Sequence, residues 1–146
     1  MAVKALRRDQ IAFGRAVLLA TDSVGMAAEG ALWLYDRKDD TWRYFLVTSL
    51  LGRIGGREIY LRLNEALTKK LSEHETIDFM FYIASPDDQL IEKLRSRFQT
   101  ARYASDPKRS NRPQVCIYRL APRMDDGAVK TTQRRFRRES RELATA

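Results

Sequence analysis

The residue types that most often build metal and catalytic sites are scarce in this chain. Its 146 residues include one cysteine, Cys116, and one histidine, His74. A single cysteine cannot form an internal disulfide, and a single histidine excludes a metal site built from several histidines. Cys116 lies in an apolar run, which favours a buried small side chain over a reactive thiol. His74 lies in a polar stretch, which indicates a surface loop. We therefore expect no metal, no cofactor and no catalytic residue.

Long apolar runs, internal repeats and low-complexity tracts are also absent from the sequence. A membrane-spanning helix needs roughly 18 or more consecutive apolar residues, so we expect no membrane insertion. The lack of cysteine pairs suits a reducing compartment, and we expect a cytoplasmic location. The length favours one domain.

Apolar periodicity predicts seven elements in the order α-β-β-α-β-α-β. The third helix has a predicted start signal, in which Ser85 is the N-cap, Pro86 the first helical residue and Asp88 the acidic partner of a capping box. The predicted bounds are a helix at 5–20, strands at 31–36 and 42–50, a helix at 57–71, a strand at 77–84, a helix from Ser85 to 101, and a strand at 114–120.

These elements predict a single α/β domain with a mixed four-stranded sheet and flanking helices. A short polar segment between the first two strands predicts an antiparallel hairpin. The later strands are reached through helical crossovers, which favours parallel strands. The segment 77–84 is almost continuously apolar, which predicts a strand buried on both faces. The predicted core includes Leu63, Phe79, Phe81, Ile83, Leu94 and Ile117.

The segment 123–146 is expected to leave the globular domain of residues 1–122. Its large apolar residues, Val129, Phe136 and Leu143, recur every seven positions, which gives too few apolar contacts for a core helix. We expect the segment to be disordered or to form a helix that docks on a partner. Phe136 and Leu143 are the predicted protein-interface residues, packing in an oligomer or on the chain's own domain.

Positive charge is concentrated in this C-terminal segment. The chain has a net charge of +8. Residues 130–142 hold six cations against two acids, a net charge of +4, which is half of the total. Such density favours an anionic partner, nucleic acid first and an acidic protein surface second. The predicted anion-binding residues here are Lys130, Arg134, Arg135, Arg137, Arg138 and Arg141.

A glycine-rich segment, 52–57, adds Arg53 and Arg57 to these candidates. We expect it to be a loop between a strand and a helix, where free N–H groups and two arginines would hold a phosphate. The spacing Gly52-x-x-Gly55 is similar to the clamp of RNA-binding KH modules, over four residues only. The alternative is a turn that needs glycine for a positive φ.

Catalytic patterns are sparse. Asp36-Arg37-Lys38 fits half of a metal-dependent nuclease site, which needs a second acid, with Glu29 or Asp78 as the candidates. Three functions therefore remain open. The first is a small non-catalytic domain that binds an anionic partner. The second is a protein-interaction or homo-oligomerisation module without a nucleic-acid role. The third is an enzyme, nuclease-like or otherwise, with a dispersed site.

Overall fold

The structure is a computed structural model and describes residues 5–71, 81–97 and 115–145. The mixed α/β class and the predicted order of the first seven elements are confirmed. The described elements are α1 (Arg8–Ser23), β1 (Gly30–Asp36), β2 (Thr41–Val47), α2 (Leu51–Lys70), β3 (Phe81–Ala84), α3 (Gln89–Arg97), β4 (Val115–Leu120) and α4 (Asp126–Thr145).

The four strands form one sheet in the order β3-β2-β1-β4. The hairpin strands β1 and β2 pair antiparallel, β3 pairs parallel to β2, and β4 pairs antiparallel to β1. The strands β2, β3 and β4 therefore run in the same direction, as their helical crossovers predict. The last crossover carries the chain across to the opposite edge of the sheet.

The strand β3 lies at an edge of the sheet rather than at its centre. Phe81 is buried as predicted, but Ile83 is only half-buried. The expectation of a strand buried on both faces is therefore wrong for residues 81–84, because the helices cover this edge only in part. Phe79 lies outside the described residues.

Helices cover both faces of the sheet. The larger core cluster lies beneath α1, α2 and α4, and includes Leu63. On the opposite face, Leu94 of α3 packs with Ile117 of β4 in a smaller cluster. Three of the predicted core residues are therefore buried, namely Leu63, Leu94 and Ile117.

Buried hydrogen bonds fix α1 on the sheet. The Tyr44 hydroxyl donates to the Gly14 carbonyl at 2.8 Å, and the Tyr118 hydroxyl donates to the Ile11 carbonyl at 2.6 Å. The Trp33 indole donates to the Tyr118 oxygen at 3.1 Å. Burial raises the pKa of the Tyr44 hydroxyl well above its usual range, so this hydroxyl stays a donor.

The start of α3 differs from the prediction by a few residues. Asp88 is the capping residue, because its carboxylate accepts the Leu90 N–H at 2.9 Å. Ser85 instead accepts the Asp87 N–H at 3.1 Å, within the turn that precedes the helix. Pro86 belongs to that turn as well. The acidic residue nearest the first helical turn is the better cap here, because its carboxylate reaches the free N–H groups directly.

The C-terminal helix α4 belongs to the domain, in contrast to the expected disordered or partner-docked tail. Val129 is 4% exposed and Phe136 is fully buried, in the same core cluster as Tyr44. The buried stripe also contains two small polar residues, Thr132 and Ser140, that the apolar pattern does not count. Ser140 satisfies its hydroxyl by donating to the Phe136 carbonyl at 2.6 Å. The expected boundary at residue 122 therefore does not separate two packing units.

Candidate functional site

The entry to α4 is held by a buried carboxylate. Glu29 is 3% exposed and accepts the Met124 N–H at 2.8 Å, just before the helix begins. It also accepts the Ser49 N–H at 2.6 Å and the Ser49 hydroxyl. One side chain thus joins the start of β1, the approach to α2 and the approach to α4. Asp125 caps α4 by accepting the Ala128 N–H at 2.8 Å.

Ion pairs fix α4 along α2. Arg137 makes a two-bonded contact with Glu58, at 2.8 and 2.9 Å. Arg62 donates to Glu58 at 2.9 Å and to the Ser140 hydroxyl at 3.1 Å. Arg137, with Arg62 second, lowers the pKa of Glu58 to about 2. Glu58 is therefore ionised across the physiological pH range, and the position of α4 on α2 is well defined.

Four of the six predicted cations of α4 point away from the core. With about 100° between successive residues, Arg134 and Arg138 lie on the face opposite Phe136, and Lys130 and Arg141 lie close to them. All four are exposed. Within the described part of the chain, Lys130, Arg134 and Arg141 have no ion pair, while Arg138 is 3.9 Å from Glu139 and 64% exposed. We call these four residues the α4 cation row.

The other two predicted cations have internal roles. Arg137 is bonded to Glu58, as described above, and is a positioning residue for the helix. Arg135 pairs with Glu139 at 3.0 Å on the flank of α4 that faces Gly25. Carboxylates of the protein itself largely balance the charges of Arg135, which is 54% exposed, and of Arg137, so these two residues contribute less than the α4 cation row to any external contact.

The glycine-rich segment is not a loop. The helix α2 begins at Leu51, and Gly55 interrupts it with φ of 79° and ψ of 156°. The alternative interpretation, a position that needs glycine for a positive φ, therefore applies to Gly55. Gly52 lies within a short helical turn and Gly55 lies at its end, whereas the sequence predicted a loop after a strand.

The two arginines of this segment have different surroundings. Arg53 donates to the side chain of Gln133 in α4 at 2.6 Å, which places it beside the α4 cation row. Arg57 is exposed, and it precedes Glu58 by one residue. Because successive residues of an α-helix are about 100° apart, the Arg57 side chain points about 100° away from the side of α2 that meets α4. Arg53 joins the candidate site, and Arg57 lies apart from it.

The two predicted interface residues pack inside their own chain. Phe136 is fully buried in the larger core cluster, and Leu143 is half-buried against the same cluster. Near Leu143, the Lys69 ammonium donates to the carbonyls of Leu143 and Ala144 at 2.8 and 3.2 Å. The apolar side of α4 is therefore occupied by the domain itself.

The residues proposed for a nuclease site are far apart. Glu29 precedes β1 and Asp36 ends it, so about 20 Å of extended strand separates them. Asp36 is bonded to Arg43 at 3.0 Å, and this contact lowers the pKa of Asp36. Asp78 and His74 lie outside the described residues. Among the residues that are described, no group of three or more metal-binding side chains occurs.

A cavity of about 310 Å³ lies at the end of the hairpin. Arg43 is the half-buried cation on its wall, and it is bonded to Asp36, Asp39 and Tyr82. The carboxylates of Asp36 and Asp39 balance its charge, and the exposed residues Arg37 and Lys38 also line the cavity. Among the aromatic side chains of the hairpin, Trp33 and Tyr44 are buried and in edge-to-face contact at 5.2 Å, whereas Tyr35, Trp42 and Phe45 are half-buried.

Comparison of the chain with protein-family models, with curated proteins and with solved structures gives no match. In the described residues, no helix is both long enough and apolar enough to cross a bilayer. Sequence reasoning found the cations of the site, but it did not identify Glu58 and Gln133 as contacts of α4, and it assigned Glu29 only to a nuclease site. The contacts of these three residues with α4 join positions about 80 to 95 apart, so no local sequence pattern indicates them.

Proposed function

We propose that this protein is a nucleic-acid-binding domain whose contact surface is the α4 cation row together with Arg53. The observation that supports the proposal is the arrangement of four exposed cations along one side of a helix whose other side is locked in the core. From Lys130 to Arg141 the helix rises about 16 Å. A repeating anion matches such a repeating row of cations better than a single anionic group does.

The rigid attachment of α4 favours binding. A cation on a mobile tail must lose backbone freedom when it binds, whereas a cation on a docked helix has lost it already. Phe136, the pair Arg137–Glu58 and the Glu29 contact to Met124 all hold the helix in place. The row therefore presents its charges at fixed spacing before any ligand arrives.

A nucleic acid is favoured over an acidic protein surface as the partner. Stable protein interfaces depend on apolar or aromatic anchors at their centre. On α4 the large apolar residues Phe136 and Leu143 pack against the chain's own core. The outer face of the helix carries the positively charged α4 cation row, which suits contacts with phosphates, because such contacts release counterions.

A charge-matched pair of variants tests the proposal. The first replaces the α4 cation row, Lys130, Arg134, Arg138 and Arg141, with Gln. The control replaces four exposed cations on α1, the hairpin turn and α3 with Gln, namely Arg8, Arg15, Lys38 and Lys93. Fluorescence anisotropy at low salt with labelled oligonucleotides should show binding by the wild type and the control, and a loss of at least tenfold for the row variant. Equal affinities for the two variants, or no binding by the wild type, would contradict the proposal.

A further inference from the structure

The cavity at the end of the hairpin continues the apolar face of the sheet on which α3 packs. Leu32 and Val47 are fully buried on this face, in the cluster that contains Ile91 of α3. Side chains alternate between the two faces of a strand, so Leu34 and Phe45 lie on the same face, two positions nearer the hairpin turn. Both pack against that cluster, are half-buried and line the cavity.

The apolar part of the cavity wall suits a small flat ring. The Phe45 ring is supported from β3 by the Tyr82 ring, at 5.4 Å between centroids. The volume of about 310 Å³ lies at the lower end of the range for small-molecule sites, roughly 300–1,000 Å³. Aromatic side chains pack well on other flat rings in offset or edge-to-face contact. A ligand of this cavity therefore has a small, planar, apolar body.

The polar part of the wall holds three cations and one acid, and the acid is already fully bonded. One carboxylate oxygen of Asp36 accepts the Lys38 backbone N–H at 2.9 Å, and the other accepts the Arg43 Nε–H at 3.0 Å. These contacts lower the pKa of Asp36, the Arg43 contact most, so the carboxylate stays ionised and keeps both partners. Asp36 thus fixes the turn and is not available to a cationic ligand.

The other two acids of the turn do not line the cavity. Asp39 bonds to Arg43, and Asp40 accepts the Tyr35 hydroxyl. Lys38 lines the cavity, is exposed and has no ion pair within the part of the chain that the structure describes. Its neighbour Arg37 is exposed and lines the cavity as well. Cations at the edge of an apolar cavity attract an anionic group strongly, because water screens the attraction less there.

We infer that this cavity binds a small planar organic anion, an apolar ring that carries a phosphate or a carboxylate group. The ring packs on Leu34 and Phe45, and the anionic group contacts Arg37 and Lys38. The site is separate from the proposed nucleic-acid surface, because α4 packs on the other face of the sheet, where Phe136 belongs to the larger core cluster.

Three probes that share one ring system test the inference with the intact protein: naphthyl phosphate, naphthoate and the uncharged naphthol. Titrations followed by the amide NMR signals report both the affinity and the place of binding. We expect the two anions to shift the amide signals between Leu34 and Phe45 and to bind at least about fivefold more tightly than naphthol. The tighter of the two anions identifies the anionic group that the site prefers.

A pair of variants with equal charge change tests the role of the two cations. Arg37→Gln with Lys38→Gln should remove the preference for the anions over naphthol, at unchanged stability in urea, because both side chains are exposed in a turn. The control, Arg8→Gln with Arg15→Gln on α1, should keep the preference. The α4 row variant should keep it as well, because that surface is on the other side of the sheet.

Three results would overturn the inference. They are equal affinities of the wild type for the three probes, an equal loss of preference in the α1 control, and amide shifts centred outside the hairpin. None of them bears on the nucleic-acid proposal, which depends on oligonucleotide binding to α4.

Discussion

Close packing makes Gly14 irreplaceable, although it lies inside a helix where alanine is normally preferred. A Cβ at this position would lie 2.5 Å from the Tyr118 oxygen and 2.6 Å from the Trp33 indole nitrogen. Both neighbours are buried and hydrogen-bonded to each other, so neither can move easily. We expect Gly14→Ala to lower the free energy of unfolding by about 1–3 kcal/mol, measured by urea denaturation.

Gly52 is the matched control for this substitution. It also lies in a helix, but a Cβ there would meet nothing within 4 Å. Gly52→Ala should therefore raise the free energy of unfolding by about 0.5–1 kcal/mol through helix propensity alone. If Gly14→Ala raised the free energy of unfolding as Gly52→Ala is expected to do, the close contact between α1 and the sheet would be wrong.

Phe136 is the residue whose role the sequence left most open. Because it is fully buried in the domain core, we expect Phe136→Ala to cost about 3–5 kcal/mol in unfolding free energy. The control on the same helix is Arg134→Ala, which should change stability by less than about 0.5 kcal/mol. A cost below about 1 kcal/mol for Phe136→Ala in urea denaturation would show that α4 is not docked on its own domain.

Between elements, the contact of α2 with α4 depends on pH through Glu58. Arg137 lowers the Glu58 pKa from 4.5 to about 2 in the folded state. A lowered carboxyl pKa stabilises the fold above the unfolded-state pKa, and this contribution disappears as the pH falls from about 4.5 to 2. Since Glu58 and Arg137 are each about one-third exposed, solvent screening limits the contribution to about 1–2 kcal/mol.

We therefore expect Glu58→Gln to lower the free energy of unfolding by about 1–2 kcal/mol at pH 6–7. The difference should shrink as the pH falls below about 4.5 and should be nearly gone near pH 2, where the carboxyl of the folded wild type is about half protonated. Urea denaturation over a pH series measures it. A stability difference that stays constant from pH 7 to pH 2 would rule out this ionic contact as the cause.

The sequence predicted the elements of the sheet well, because their signals are local. The bounds of β1, β2 and β4 lie within three residues of the predicted ones, and the hairpin turn follows its polar segment. The edge position of β3 was not predictable, since strand order is set by pairing between distant segments. The docking of α4 was missed because Thr132 and Ser140 complete its buried stripe, and polar residues do not register in an apolar pattern.

At the scale of the whole molecule, the net charge of +8 is unevenly distributed along the chain. Sequence counting placed half of it in residues 130–142, and the structure separates those six cations into two kinds. Arg135 and Arg137 have carboxylate partners at 3.0 and 2.8 Å, while the α4 cation row faces solvent. This division could not be predicted from the sequence, because Glu58 lies 79 positions from Arg137. Among the described residues, the surface potential should therefore be most positive along α4.

The salt dependence of DNA binding tests the central claim most directly. Each phosphate contact with duplex DNA contributes about −0.9 to the slope of log K against log salt concentration. If the α4 cation row makes the contacts, replacing its four cations with Gln should make the slope shallower by up to about 3.6. The control lacking Arg8, Arg15, Lys38 and Lys93 should keep the wild-type slope within about one unit, because those cations lie on other elements. Equal slopes for the row variant and the wild type would contradict the claim that α4 is the nucleic-acid-binding surface.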